Sequence, residues 1–239
     1  GKNTAGFSPG DRVVLSYPHC GVCPACRQGR PYNCVHFSDL FMGGRLSGTP
    51  PLTYHGQSVL SFFGQGGFST HTVVHQSSAV KADDDSDLKM LGPLGCGIQT
   101  GAGSVINVLA PAPGASIAVF GTGSVGLSSV MAAKALGCGT IIAVDKVGRR
   151  LELAEGFGAT HTIDTGNTAD VLKEILAITG GLDYAVDTSG NMGLINAAAG
   201  SLRPGGRGCG VAAAGRPRLS REDGRRWDEV IQGSSVPRE

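Results

Sequence analysis

Four cysteines, Cys20, Cys23, Cys26 and Cys34, stand in one short stretch, HCGVCPACRQGRPYNC. Two residues separate the first from the second and the second from the third; seven separate the third from the fourth. A closed tetrahedral zinc site needs four thiolates that a loop can wrap around the ion at about 2.3 Å. Pro18, Gly21, Pro24, Gly29 and Pro31 make this segment such a loop. Two disulfides or a redox Cys-x-x-Cys pair are the alternatives. A third cysteine two residues further on argues against a simple redox pair. Disulfide-stapled secreted domains are usually far shorter than 239 residues.

The second chemical feature is GTGSVG, made of Gly121, Thr122, Gly123, Ser124, Val125 and Gly126. It fits G-x-G-x-x-G, with an apolar strand before it and a helical pattern after it. Gly121 permits the tight turn, Gly123 lets backbone approach a pyrophosphate, and Gly126 lets helix and strand pack closely. The helix N-terminus then offers N–H groups and the positive end of its dipole to phosphates. Asp145 ends the next strand, where a carboxylate can accept bonds from adenosine ribose hydroxyls and would repel a 2′-phosphate. NAD is therefore favoured over NADP, although Lys146, Arg149 and Arg150 follow closely. The plainer reading is a tight strand–helix turn with a surface aspartate.

Cys96, in LGCGIQTGAGS, reads on its own as a small buried residue rather than a ligand. Cys138 and Cys209 read as packing residues. The six histidines show no ligand spacing and are taken as non-ligands. The arginines Arg203, Arg207, Arg216, Arg218, Arg221, Arg225 and Arg226 are read as a solvated loop in preference to an anion site. Phe62, Phe63 and Phe68 suit a pocket wall and a core equally.

The elements that must position these groups come in two styles that meet near residue 95. Before it, short alternating strands are expected at Arg12–Ser16 and Ser69–Val74, an antiparallel region that carries the cysteine lobe as an excursion. The acidic run Asp83–Asp87 leads into a helix that Ser86 or Asp87 caps. After it, strands at Ile117–Phe120, Thr140–Asp145, His161–Asp164 and Leu182–Asp187 alternate with helices at Val125–Leu136, Arg149–Phe157, Ala169–Ile178 and Leu194–Leu202. Arg207–Ala213 and Glu229–Ile231 supply two further strands. The alternation implies right-handed crossovers and a doubly wound, Rossmann-type parallel sheet, an α/β class. The expected domains are 1–95 and 96–239.

Bulk properties exclude several classes. A formal charge of +1 and a pI near 7.8 give no electrostatic case for nucleic acid or an anionic membrane. No apolar run reaches the ~20 residues that cross a bilayer. Seven cysteines, four of them read as thiolates, suggest a reducing cytoplasm.

Taken in order, the cysteine lobe, the GCG-x-x-TG-x-G stretch at Cys96, and GTGSVG followed by Asp145 make the chain resemble the zinc-dependent medium-chain alcohol dehydrogenases. FFGQGGFSTHTVV and the terminal VIQGSSVP resemble the aryl (benzyl) alcohol branch. The resemblance covers essentially the whole chain. It implies a partial GroES-like β domain carrying the zinc lobe, followed by a Rossmann NAD-binding domain. It also implies that Cys20, Cys23, Cys26 and Cys34 hold a structural Zn. Cys96 matches a catalytic Zn ligand, Thr100 a residue near the nicotinamide, and Arg150 one near the adenosine ribose. The full-length protein is expected to be a homo-oligomer.

Family members also carry an upstream Cys and a Gly-His-Glu segment that supply two more catalytic zinc ligands. This chain begins after them and ends before the family's C-terminal return. It is therefore expected to be a piece of a longer protein, inactive alone. The expected reaction exchanges a hydride between NAD and a primary, aromatic alcohol or its aldehyde. Formaldehyde–thiol adducts, polyols or secondary alcohols are the alternative substrates. A zinc-stapled, NAD-binding fragment and a zinc-ribbon nucleic-acid binder are the readings outside catalysis.

Overall fold

The computed structural model describes residues 4–43, 52–211, 217, 224–231 and 234–235. Arg216, Arg218 and Arg221, the stretch from Ala212 to Ala213, and half of VIQGSSVP lie outside them. The chain divides into two compact units, Gly1–Cys96 and Gly97–Glu239.

The first unit has little regular structure. Strand β1 (Val13–Leu15) pairs antiparallel with β4 (Ala79–Lys81), with Val14 opposite Val80. Between them come the short helices α1 (Pro24–Arg27) and α2 (Phe37–Gly43) and the hairpin of β2 (Leu52–Tyr54) with β3 (Gln57–Val59). The cysteine lobe is thus an excursion from a two-stranded pair, as the sequence indicates. The expected strand at Ser69–Val74 does not form. There Ser69 Oγ donates to the carbonyls of Gly66 and His71, and Thr72 donates to Gln65. Such local side-chain bonds offer the backbone an alternative to a ladder. Helix α3 (Leu88–Leu91) begins at Asp87, whose carboxylate accepts from the Lys89 N–H at 3.0 Å.

The second unit opens with α4 (Gly97–Gly103) and a π-helical turn over Ser104–Leu109. It then alternates β5 (Ser116–Phe120), α5 (Ser124–Ala135), β6 (Thr140–Asp145), α6 (Gly148–Gly156), β7 (His161–Asp164), α7 (Val171–Thr179), β8 (Leu182–Asp187), α8 (Met192–Ser201) and β9 (Leu202–Gly210). Two last strands, β10 (Arg226–Ile231) and β11 (Ser234–Ser235), complete a seven-stranded sheet of order β11-β10-β9-β8-β5-β6-β7. All neighbours are parallel except β10 and β11. The order in which strands are added reverses between β5 and β8, the switch point where doubly wound sheets bind ligands.

Both faces of this sheet are covered, which explains its nearly unbroken apolar strands. Ala118, Phe120, Ile142, Val144, Ile175 and Ile195 fill one side; Val105, Leu109, Ile117, Val119, Val130 and Ile141 fill the other. Each large side chain fully removed from water contributes about 1.5–3 kcal/mol. Local signals set the helix ends. Asp170 caps α7 by accepting from Lys173 N at 3.0 Å, and Gly180 closes it at φ +68°.

One sequence expectation changes here and another holds. Arg203 and Arg207 belong to β9 rather than to a solvated loop. Arg203 pairs with Asp183, and Arg207 donates to the carbonyls of Val108 and Leu109 at the end of the π-helical turn. Cys138 and Cys209 are buried as packing residues, and burial pushes both thiols up. Among the described residues, no helix is long and apolar enough to cross a membrane.

Candidate functional sites

The four lobe cysteines converge. Their sulfur atoms all lie within 4.8 Å of one another, and Cys20 Sγ sits 3.9 Å from Cys26 Sγ. Four sulfurs at tetrahedral corners ~2.3 Å from zinc would be ~3.8 Å apart. All seven cysteines are free in this structure, and the four-way convergence of the lobe sulfurs favours one shared metal over two separate disulfides. Loop backbone also points at the sulfurs: Val22 N–H and Cys23 N–H donate to Cys20 Sγ at 3.4 and 3.3 Å, and Cys20 N–H donates to Cys34 Sγ at 3.4 Å. Pro24 at the first position of α1 and Pro31 in the following 3₁₀ turn fix the chain between ligands. N–H groups of Cys26 and Val35 hold the Cys23 thiol down at about 6, while burial pushes Cys26 up to about 12. Four thiolates this close would repel one another, and a divalent cation at their centre would supply the compensation. The donor set fits zinc.

Cys96 stands apart from this quartet. It is exposed and lines a cavity of about 510 Å³ in the first unit. Phe62, Phe63, Phe68 and Leu60 form much of the apolar wall. Phe62 is 65% exposed and Phe68 fully so, which makes them lining and not core. Phe63 adopts φ +61°, a conformation costly for a bulky residue, and its ring lies 4.6 Å from that of Phe41. Gln65 Nε2 donates to Ser16 O at 2.6 Å and ties this loop to the end of β1. Among the described residues, the lobe quartet is the one group of three or more close metal-capable side chains.

In the second unit, register sets the other site. Phe120 lies opposite Val144 on one side and Asp187 on the other, so β5, β6 and β8 end level. There they border a groove of about 390 Å³ lined by Gly121, Gly123, Ser124, Val125, Asp145, Lys146, Arg150, Thr165, Thr188, Ser189, Asn191 and Leu194. Gly121 takes φ +85°. A Cβ on Gly126 would meet Gly121 O at 1.8 Å, so only glycine lets α5 start here. A Cβ on Gly123 would meet nothing within 4 Å, leaving room for a ligand against the backbone. Gly123 caps α5 without a side chain, which leaves the first N–H groups of a 12-residue helix for an anion. This cradle fits a pyrophosphate.

Asp145 is 6% exposed and heavily bonded. Its Oδ2 accepts from Thr122 N (2.6 Å) and Thr122 Oγ1 (2.9 Å); its Oδ1 accepts from Lys146 N (2.8 Å) and Val147 N (3.0 Å). Burial opposes its ionisation, but these four donors outweigh burial and hold the carboxyl below its usual range. A ligand hydroxyl at Asp145 would therefore share oxygens that already serve the turn. Arg150 Nη1 lies 3.8 Å away and borders the groove.

Of the residues singled out in the sequence, Gly121, Gly123, Ser124, Val125, Asp145 and Arg150 meet in the groove wall. Thr122 and Gly126 stand behind it. Thr100 is buried on α4, where its carbonyl accepts from Ser104 Oγ at 2.7 Å. Gly101 brings α4 tightly against α5, since a Cβ there would sit 2.0 Å from Val125 O. Sequence reading missed Thr188, Ser189, Asn191 and Leu194. Their signal was the turn-forming DTSGN directly after a strand that the topology places beside β5.

Residues 1–84 match the alcohol dehydrogenase GroES-like domain family, and residues 124–234 match the zinc-binding dehydrogenase family. The chain is 43% identical over 210 residues to geraniol dehydrogenase of Castellaniella defragrans, an alignment spanning 86% of this chain and 56% of that protein. It is 37% identical to a probable alcohol dehydrogenase of Pseudomonas sp, over 91% of this chain and 69% of the relative. Benzyl alcohol dehydrogenase from Acinetobacter calcoaceticus superposes with a TM-score of 0.86 at 36% identity, covering 98% of this chain and 66% of that one. A zinc-binding-domain alcohol dehydrogenase protein from Burkholderia ambifaria gives 0.88 at 38% identity, again covering 98% and 66%. The chain thus spans little more than half the length of the geraniol enzyme.

Proposed function

The chain belongs to the zinc-binding alcohol dehydrogenases, and from that premise we propose that its full-length protein interconverts a primary alcohol and its aldehyde with NAD as hydride carrier. The observation that carries this reading is the groove at the level ends of β5, β6 and β8, where an open Gly123 faces space and an aspartate stands at the neighbouring strand end. In this proposal residues 96–239 form the coenzyme domain and residues 1–95 part of the catalytic domain. Gly123, Ser124 and Val125 bind the pyrophosphate by backbone N–H groups, and Asp145 with Arg150 takes the adenosine ribose. Thr100 sits on the nicotinamide side.

Two zinc sites belong to the reading. The lobe quartet Cys20, Cys23, Cys26 and Cys34 holds a structural ion. Cys96 offers one thiolate to a catalytic ion, whose remaining protein ligands come from elsewhere in the full-length protein, since such sites use three. When bound, that zinc supplies Lewis-acid polarisation of the alcohol oxygen, and the nicotinamide accepts the hydride. The chain's own contribution is the apolar wall beside Cys96. Phe62, Phe63 and Leu60 exclude water and favour a flat, apolar substrate, which supports an aromatic or allylic alcohol over a polyol. The relatives named for geraniol and benzyl alcohol point the same way. By family resemblance the full-length protein is a cytoplasmic homo-oligomer with no nucleic-acid or membrane partner.

The test is NADH formation from benzyl alcohol and from geraniol by the full-length protein. Turnover of both, lost with zinc, supports the proposal; no turnover of any alcohol rejects it. A second reading, an inactive zinc-stapled coenzyme-binding fragment, is favoured for the chain alone by the isolation of Cys96 among the described residues. One zinc per chain supports it, and two contradict it.

A further inference from the structure

We infer that Thr188 is a positioning residue for the coenzyme's pyrophosphate, acting through Gly121; the inference rests on the dinucleotide reading of the groove. The first peptide groups of the glycine-rich turn are held from three sides. Gly121 N–H donates to Val144 O at 2.7 Å, and Thr122 N–H donates to Asp145 at 2.6 Å. Thr188 supplies the third hold. Its hydroxyl donates to Gly121 O at 2.8 Å, with a longer share to Phe120 O at 3.2 Å, while its own N–H donates to Phe120 O at 2.8 Å. Gly121 O is also the atom that a Cβ on Gly126 would strike, and a Cβ on Gly121 would stand 2.8 Å from Thr188 Oγ1. The hydroxyl therefore fixes the carbonyl over which the first turn of α5 passes.

Thr188 is itself aimed by a turn. Asp187, fully buried at the end of β8, accepts from Ser189 Oγ (2.6 Å), Ser189 N (3.3 Å) and Gly190 N (3.0 Å). Asn191 then caps α8 by accepting from Gly193 N and Leu194 N. The loop after β8 thus reaches across the switch point and sets the turn after β5. A preformed cradle binds better because the ordering of its backbone precedes ligand binding. Removing the hydroxyl loosens the phosphate cradle and leaves the adenosine end, held by Asp145, as it was.

The test compares wild type with Thr188→Val, which removes the donor at similar shape, and Thr188→Ser, which keeps it. Thr188→Ala serves as a second donorless variant should valine crowd Gly121. NADH and ADP-ribose are titrated by fluorescence and calorimetry, and adenosine, which has no phosphate, by magnetic resonance. Loss of one hydrogen bond predicts about tenfold weaker NADH and ADP-ribose binding in Thr188→Val and Thr188→Ala, with near-wild-type binding in Thr188→Ser. Adenosine affinity stays unchanged in all three. Unchanged NADH affinity without the hydroxyl overturns the inference, as does an equal loss for adenosine, which would mark a general structural role. If wild type binds neither NADH nor ADP-ribose, the dinucleotide reading itself falls.

Discussion

The two units stabilise themselves in different ways. Among the described residues, the buried apolar side chains of the first unit are Pro18, Cys23, Cys34 and Leu40, and two of these four are lobe cysteines. The other described buried apolar residues lie in the second unit, from Val105 through Phe120 and Ile142 to Trp227. The first unit also exposes Leu60, Phe62, Phe68 and Tyr54. A segment with so little core depends on cross-links, and a metal is the cross-link its geometry offers. The second unit needs none. Its tolerances are set instead by close backbone approaches at the glycine-rich turn. One part of the molecule should thus respond to chelation, the other to a single methyl group.

That contrast can be broken in order of expected effect. Chelating the zinc, or replacing Cys34 by Ser, should remove a binding free energy on the scale of ~10 kcal/mol from the first unit. Differential scanning calorimetry should show its transition lost while that of the second unit persists. Equal loss in both would erase the distinction. Gly126→Ala should act the other way. Its methyl would press on Gly121 O, costing the second unit about 3 kcal/mol and its NADH binding, with zinc content unchanged.

Asp145→Asn should cost about 2 kcal/mol, because an amide cannot accept all four donors. Its pH dependence has a definite sign. The folded carboxyl titrates below its ordinary value, so its stabilisation is complete above about pH 4 and disappears as pH falls through the lower folded value. Urea melts of the second unit between pH 2 and 5 should lose this acid sensitivity in the variant. The smallest effect is a gain. Ala110 ends the π-helical turn at φ +47°, so Ala110→Gly should raise the stability of the second unit by about 1 kcal/mol, read from its melting temperature.

Legibility in the sequence follows the same division. Strands β6, β7 and β8 were readable to the residue because a buried parallel strand is an apolar run with sharp ends, and TIIAVD and LDYAVD are such runs. The cysteine spacing announced its own convergence. Ser69–Val74 misled because alternation alone cannot reveal that Ser69 and Thr72 bond their own loop. Cys96 misled because a cysteine between glycines gives no sign of which way it faces, and it proves exposed. Thr188 escaped notice because its role depends on β8 lying beside β5, a topological fact spread over 67 residues.

In the proposed function one polypeptide holds a metal in its first unit and a coenzyme in its second. Native mass spectrometry of the chain mixed with NADH reads both at once. The predicted species carries at least one zinc and one NADH. A chain with two disulfides in place of the metal, or one that keeps zinc but takes up no NADH at saturation, would contradict it.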